Sequence, residues 1–467
     1  MNRRGQREEG KLPKRIVALT VFILLALSFA VPPGTAFAQQ GPRIRLIRDT
    51  EIENTIRAYA RPVLVYAGLD PENVQIHLVQ DPTLNSFVAG GQHIFINTGL
   101  LIRAKNAGQV IGVLAHETGH IAHGDLARTG EALRNAQVES IVALILGAAA
   151  AVLSGRGDAG AVVLGGGQSL AQRSLLTYTR GQEAGADQFA VTALDATGQS
   201  ARGMLQFFSI LENEEFLVTA RRDPYVLTHP LTSQRIAFVR NHVANSRFSD
   251  VPLPRRYVEM QDRMRAKLIG FLWPPQQVFQ RYKESDNSLP SRYARAVAYH
   301  RLAELDKALA TIDSLIREHP DDPYFHELKG QILFESGKPA RALPSYRKAV
   351  ALRPQAPLLR ADLARVMLEL NDPKLIRPAL INLKVSTRRD PYNSGAWRLL
   401  ATAYGRQGKQ GMTALALAEE AVILGQKPQA RRMAKRAMKL LAKGSPSWRR
   451  ADDIVRLSRK DGDGDAG

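Results

Sequence analysis

Two histidines and a glutamate at helical spacing are the part of this 467-residue chain that could do chemistry most directly. Residues 116–120 read His-Glu-Thr-Gly-His, which fits the pattern H-E-x-x-H. Positions i and i+4 lie on one helix face, so His116 and His120 can bind one zinc ion. Glu117 lies between them and can act as general base on the attacking water. The pattern therefore predicts metal-assisted hydrolysis.

The residues around this pattern predict a buried helix. An apolar stretch, residues 109–115, precedes it, and the small residues Gly119 and Ala122 would let another element approach closely. His123 lies roughly 10 Å along the helix axis from His116, so we interpret it as a non-ligand. The alternative is a surface helix whose histidines are four residues apart by chance.

A catalytic zinc site usually has a third protein ligand. The chain has 0 cysteines, so this ligand must be His, Glu or Asp. Glu183 and Asp187 are four residues apart on a second helical pattern with small neighbours. Glu183 is the candidate ligand, and Asp187 could orient a ligand histidine through its far nitrogen. The alternative is a solvated acidic helix face.

The pentad His-Glu-Thr-Gly-His at residues 116–120, followed by E-x-x-x-D at residues 183–187, resembles a pattern of the gluzincin peptidases. These are related to HtpX and the CAAX prenyl endopeptidases and form metallopeptidase family 48. The resemblance covers roughly residues 45–250. Residues 85–100 look like the family's edge strand and following turn, and an edge strand can pair with an extended substrate. The resemblance implies a zinc peptidase with one zinc per chain, held by His116, His120 and Glu183.

Residues 228–236 resemble the family's downstream His-Pro and Arg-Ile stretch. The resemblance implies that His229 either steadies the transition state or occupies the open zinc position as a plug. Arg235 could bind developing negative charge or a substrate carboxylate, and with Asp187 it would assist Glu117. The alternatives are a turn histidine and a helix-surface arginine. His93, on the presumed substrate strand, is interpreted as a surface residue.

The N-terminal segment predicts export. A basic stretch precedes the apolar run Ile16 to Val31, and Ala36-Phe37-Ala38 is a typical cleavage site. We expect cleavage after Ala38 and a periplasmic protein; the alternative is an uncleaved anchor. The absence of cysteine excludes disulfides and lipid attachment at an N-terminal cysteine. The net charge of +20 favours anionic surfaces or acidic partners, but no nucleic-acid-binding motif is present.

A second apolar run, Ile141 to Leu153, is too short to cross a bilayer comfortably and is followed by glycines. We expect residues 141–167 to form a helical hairpin or a lid that contacts membrane peripherally or a partner. The alternative is an ordinary buried helix pair.

The C-terminal half has a repeat. Pro320 and Pro354 are separated by the 34-residue length of a tetratricopeptide repeat, a looser unit ends at Pro391, and another begins at Trp397. Stacked repeats form a groove that binds an extended segment or partner; the alternative is a rigid spacer. The expected divisions are a signal segment (1–38), a zinc peptidase domain (39–250), a linker (251–289), a repeat domain (290–445) and a partly disordered tail (446–467).

These patterns predict a mainly α-helical protein, in which a zincin-type domain with a small β-sheet edge precedes a helical superhelix. The function expected from the resemblance is cleavage of misfolded or stalled envelope proteins, with the outer-membrane assembly machinery as a possible partner of the repeats. The alternative is a repeat-based chaperone or scaffold with latent, gated protease activity.

Overall fold

The computed structural model describes residues 45–89, 91–125, 168–217 and 229–458. The predicted signal segment (1–38) and the predicted hairpin or lid (141–167) lie outside these residues. The described chain is mainly α-helical with one small sheet, which confirms the predicted fold class. None of the described helices is long and apolar enough to cross a membrane.

The N-terminal part of the described chain begins with helices and strands that alternate. In order, they are β1 (Leu46–Ile47), α1 (Thr50–Tyr66), β2 (Gln75–Val79), β3 (Ser86–Ala89), β4 (His93–Asn97), α2 (Thr98–Arg103), α3 (Ala107–His123), α4 (Gln168–Ala196), α5 (Arg202–Leu217) and α6 (Ser233–Asn245).

The four strands form one sheet in the order β1-β2-β4-β3. Strand β4 pairs in parallel with β2 and antiparallel with β3, so β3 is an edge strand of the sheet. The family resemblance of residues 85–100 predicted an edge strand in this region. Alternating burial along β2 and β4 directs Ile76, Leu78, Ile94 and Ile96 into the core.

Helix α3 is central to this core, and its first fourteen residues are all buried. It begins at Asn106, whose side chain accepts from the Gln109 N–H, and it ends at Gly124, which has a left-handed φ of 65°. Helix α5 approaches α3 so closely that a Cβ at Gly203 would lie 2.2 Å from the Gly108 carbonyl carbon. Only glycine permits this backbone contact.

The region predicted as a linker contains α7 (Arg255–Leu272) and α8 (Pro275–Arg281). Helix α7 belongs to the same hydrophobic core as α1 and α3, because Tyr257, Met264 and Leu268 are buried with residues of those helices. Its Lys267 is also buried, and its Nζ lies 2.7 Å from Asp49 Oδ2. This helix therefore packs both against the N-terminal core and against the first helix of the C-terminal repeats.

Ten helices of the described chain follow in antiparallel pairs, as tetratricopeptide repeats require. They are α9 (Leu289–Arg301), α10 (Leu305–Glu318), α11 (Pro323–Glu335), α12 (Pro339–Leu352), α13 (Pro357–Glu369), α14 (Pro373–Arg389), α15 (Ser394–Arg406), α16 (Gln410–Ile423), α17 (Lys427–Leu440) and α18 (Pro446–Leu457).

The last helix, α18, lies within the segment expected to be a partly disordered tail. Its Ala451 and Ile454 are buried against the alanines of α16 and α17. Ser445 caps it by accepting from the Trp448 N–H. Residues 446–457 are thus folded, because they cover the apolar face at the end of the repeats.

Candidate metal centre

Helix α3 presents His116, Glu117 and His120 to the interior of the peptidase core. His116 and Glu117 are almost completely buried, and His120 is 9% exposed. The two imidazoles are one turn apart, and their Nε2 atoms lie 3.2 Å from each other. The helix that the sequence predicted therefore exists, and its two histidines converge on one point.

Helix α4 brings Glu183 to the same point. Its Oε2 lies 3.3 Å from His116 Nε2, and its Oε1 lies 3.3 Å from His120 Nε2. Close packing of the two helices depends on Gly119, where a Cβ would meet the Ala186 backbone at 3.0 Å. The small residue of the pentad thus allows the third candidate ligand to approach the first two.

Two carboxylates hold the far sides of the imidazole rings. Asp187 Oδ1 accepts from His116 Nδ1 at 2.9 Å, and Asp125 Oδ2 accepts from His120 Nδ1 at 2.8 Å. With Nδ1 held by a carboxylate, each ring directs its Nε2, the nitrogen that would bind a shared metal ion, toward Glu183. The contact of Asp187 with a histidine was predicted from the sequence, whereas that of Asp125 was not. The available signal was a carboxylate directly after the glycine that ends the helix.

Arg235, at the start of α6, is a buried member of this network. Its guanidinium donates to Asp187 at 2.6 and 2.9 Å and lies 2.7 Å from Glu183 Oε2. It also donates to the Pro230 carbonyl at 3.1 Å and stacks over Phe208, 5.2 Å from the ring centroid. Arg235 is therefore a buried partner of the carboxylates of the site and not a surface arginine.

His229 lies inside the site as well. Its Nδ1 is 2.8 Å from Glu183 Oε1 and 3.4 Å from His116 Nε2. Its Nε2 is 3.2 Å from the carbonyl oxygen of Ser86 on the edge strand and 3.7 Å from Glu117 Oε1. The structure thus places this histidine between the ligand cluster, the base and the sheet edge.

Two other histidines lie apart from this group. The ring of His123 packs against Phe189, with centroids 5.9 Å apart. His93 pairs with His77 at 2.9 Å, and the two rings stack. Burial, with the charge of His93 next, lowers the pKa of His77 to about 4.

The buried carboxylates of the centre stabilise positive charge on the groups that surround them. Burial lowers the pKa of His120, but hydrogen bonds to Asp125 and Glu183 outweigh it and raise the pKa to about 10. Burial raises the pKa of Glu183, yet the neighbouring imidazoles, His229 first, hold it well below its ordinary value. Burial likewise opposes ionisation of Asp187, and its hydrogen bond with the neighbouring arginine lowers its pKa. The carboxylates are thus ionised and attract positive charge.

The donor set fits a metal ion. One atom from each of His116, His120, Glu183 and His229 can be chosen so that all lie within 4.8 Å of one another, and all four residues are buried. Two imidazole nitrogens and a carboxylate are borderline ligands that suit zinc and other first-row metals. Neither oxygen of Glu117 has a hydrogen-bond partner among the described residues, so this carboxylate is available for a proton.

The fold and the site together define a metallopeptidase domain that is followed by helical repeats. Residues 47–243 match the model of peptidase family M48, and residues 293–357 match a tetratricopeptide repeat model. The chain therefore contains an M48 peptidase domain followed by tetratricopeptide repeats, as the resemblance in the sequence predicted.

Among particular proteins, the chain is similar to the beta-barrel assembly-enhancing protease of Yersinia pestis, with 23% identity over 402 residues. That match covers 82% of this chain and 79% of the relative. The protease of the same name from Escherichia coli (strain K12) is 24% identical and covers 82% of this chain and 78% of its own. The mitochondrial metalloendopeptidase OMA1 of Saccharomyces cerevisiae is 38% identical over 92 residues, or 19% of this chain and 26% of its own.

Proposed function

We propose that this chain is a zinc endopeptidase in which His116, His120 and Glu183 hold one zinc ion per chain. The convergence of these three side chains beside Glu117, a buried carboxylate that accepts no hydrogen bond from the described residues, is the observation that carries the proposal. Bound there, the metal would supply a Lewis acid for the scissile carbonyl. The protein supplies the rest of the chemistry.

Glu117 acts as the base and then as the acid. Its carboxylate is fully buried, and neither oxygen accepts a hydrogen bond from the described residues. It removes a proton from the attacking water and returns that proton to the amine that leaves the peptide bond. Asp187, Asp125 and Arg235 are positioning residues, because they contact the ligands and hold them in place.

The edge strand β3 is the proposed substrate-binding element. An extended peptide would add to the sheet beside β3 through main-chain hydrogen bonds, which suits a protease that acts on unfolded segments. Ser86 begins this strand, and its carbonyl oxygen lies 3.2 Å from His229 Nε2. The scissile bond would therefore pass next to the ligand cluster.

The position of His229 favours a second candidate, a gated protease whose repeats serve mainly as a chaperone or scaffold. The ring lies against Glu183, against the base and against the strand edge. In this second candidate, the imidazole would occupy the place that a substrate carbonyl needs. In the first candidate, the same imidazole instead stabilises charge that develops in the transition state.

We further propose that the enzyme acts in the cell envelope on misfolded or stalled proteins. Relatives over most of this chain are called beta-barrel assembly-enhancing proteases, and the basic-then-apolar N-terminus is typical of an export signal cleaved after Ala38. A periplasmic enzyme with repeats could take substrates from the outer-membrane assembly machinery. Residues 141–167 would contact the membrane peripherally.

The test is zinc content together with casein cleavage, for the wild type and for Glu117→Gln. We expect one zinc per chain in both proteins, and a fall in cleavage of about 10²–10⁴-fold in the variant. A chain without zinc at neutral pH, or a variant that cleaves as the wild type does, would refute the proposed chemistry.

Two further variants separate the candidates. If His229→Ala cleaves casein faster than the wild type, the histidine is a gate; if it cleaves more slowly, the histidine assists the reaction. If Glu117→Gln supports envelope protein assembly in cells as well as the wild type does, proteolysis is not the main role. The chaperone or scaffold candidate then replaces the first.

A further inference from the structure

A cavity of about 610 Å³ lies between the peptidase domain and the repeats, away from the metal centre. One wall comes from α1 and from the segment that leads to the start of β2 at Gln75. The other wall comes from two repeat turns, residues 352–358 and 389–390. Strands β1 and β2 form the end of the sheet farther from β3, so this cavity is separate from the proposed substrate strand.

The cavity is rich in arginine. Five guanidinium groups line it against three carboxylates, so it has an excess of positive charge. The lining charged residues are Arg48, Arg57, Arg61, Arg353 and Arg389, with Glu53, Glu72 and Asp390. Pockets of 300–1,000 Å³ are of the size that binds specific ligands.

One arginine ties the two walls together. Arg48 Nε lies 2.7 Å from Glu53 Oε1 on α1, and its Nη2 lies 2.8 Å from Asp390 Oδ2 on the repeat side. Two of the three carboxylates are thus paired with a single guanidinium. The third, Glu72, lies 3.6 Å from Arg61 in an exposed pair that contributes little.

The remaining arginines have no carboxylate partner among the described residues. Arg57 donates only weakly, to the carbonyls of Pro71 and Val74 at 3.5 and 3.3 Å. Arg353 stacks over Tyr324, 5.7 Å from the ring centroid. Arg389 has neither a hydrogen bond nor an ion pair to its side chain in the described structure. Three guanidinium groups are therefore available to an anion.

The lining favours an extended peptide over a compact polyanion. Glu53 and Glu72 lie among the arginines, where their charges disfavour a compact cluster of negative charge more than charges spaced along an extended chain. The exposed Glu72 carboxylate can also accept hydrogen bonds from peptide N–H groups. Leu352 and Leu358, which are half-buried, provide apolar surface for side chains between charges. Guanidinium groups bind carboxylates through paired hydrogen bonds.

We propose that this cavity is an exosite that binds an extended acidic segment of a protein substrate, through Arg57, Arg353 and Arg389. The exosite rests on the proposed function, because it assumes that the chain handles unfolded proteins. It holds one part of the substrate at the junction with the repeats while another part reaches β3.

The experiment uses the full chain with Glu117→Gln, so that no peptide is cut. A fluorescein-labelled peptide of alternating Asp and Gly is titrated, and its anisotropy gives the Kd. The pocket variant carries Arg353→Glu and Arg389→Glu, neither of which breaks an ion pair. The control carries Arg347→Glu and Arg388→Glu, which change the same charge on neighbouring exposed residues that do not line the cavity.

We expect the pocket variant to bind at least about tenfold more weakly than the control, and binding in both to weaken as salt rises. An equal loss of peptide affinity in the two variants would overturn the exosite, because the loss would then follow from the lower net charge of the protein and not from the cavity. No binding of the acidic peptide, or binding of inorganic phosphate in its place, would overturn the peptide as ligand. This experiment measures binding and not hydrolysis, so its result can be interpreted even if the proposed catalytic chemistry is wrong.

A second readout links the site to turnover. Casein fused to the acidic peptide should show a KM raised about tenfold in the pocket variant with an intact Glu117, and unfused casein should show the control value. An unchanged KM for the fused substrate would contradict a role in substrate capture.

Discussion

Replacement of Arg235 by leucine tests whether the metal centre depends on a buried cation beside its carboxylates. The guanidinium is 6% exposed and contacts Asp187 through two hydrogen bonds and Glu183 through an ion pair. Leucine fills part of the volume and removes the charge. Two buried carboxylates then lose their common partner, and only the imidazoles remain to neutralise them.

The expected loss of stability follows from this pairing. Removal of one partner from a buried ion pair costs about 3–5 kcal/mol, because the remaining charge stays desolvated. For a domain of the size of residues 47–243, 1 kcal/mol lowers Tm by about 2–4 °C. We therefore expect Arg235→Leu to lower the Tm of the peptidase domain by about 6–20 °C.

The assay is thermal unfolding of chelator-treated protein, followed by circular dichroism. Arg240→Leu is the matched control, because it lies on the same helix, is exposed and makes no ion pair in the described structure; its effect should stay within about 0.5 kcal/mol. Arg235→Lys keeps the charge but not the paired hydrogen bonds, so its Tm should fall between the two. If Arg235→Leu unfolds at the same temperature as Arg240→Leu, the buried pairing does not stabilise the site.

Three further predictions concern other parts of the chain. Asp125→Asn should lower zinc affinity by about 10–100-fold in a chelator competition, because the amide orients the His120 ring less strongly than the carboxylate does. Unchanged zinc affinity in this variant would show that Asp125 does not support the metal site. Gly203→Ala should destabilise the fold by about 1–3 kcal/mol in urea unfolding, since the added Cβ meets backbone of α3, whereas Gly181→Ala, with open space on its helix, should stabilise it by about 0.5–1 kcal/mol. Burial raises the pKa of Glu327 to about 8, so the folded state binds a proton that the unfolded state releases near pH 4.5. Stability should therefore fall as pH rises between these values, and Glu327→Gln should reduce that slope in Tm measured from pH 5 to 8; an identical slope would contradict the shift.

Local spacing was enough to predict the helices of the site. Residues four apart share a helix face whatever the helix packs against, so His116 with His120, and Glu183 with Asp187, could be paired within their own segments. The repeats were predictable for a similar reason, because each unit repeats the same helix pair at a fixed length. In contrast, the helix Arg255–Leu272 was interpreted as part of a linker, because its flanking prolines hide that Met264 and Leu268 complete the peptidase core.

The long-range contacts of the site required the tertiary structure. Asp125 follows the glycine that ends α3, and only the turn at Gly124 directs its carboxylate back to His120. From the sequence, Arg235 was a candidate to bind developing negative charge or a substrate carboxylate, with a helix-surface arginine as the alternative. Its pairing with Asp187, 48 positions earlier in the chain, is seen only in the tertiary structure. Such contacts depend on how separate helices cross, and spacing along the chain carries no information about that.

By itself, the sequence determined the class of chemistry. It placed two imidazoles and a base on one helix, a carboxylate on another, and repeats after them. Only the tertiary structure decided the rest: which carboxylates orient which ring, that His229 lies between Glu183 and the edge strand, and that arginines from both halves line one cavity. The physical reason is that helix periodicity acts over a few residues, whereas burial brings together charges that are distant in the chain and stabilises them only when they are paired.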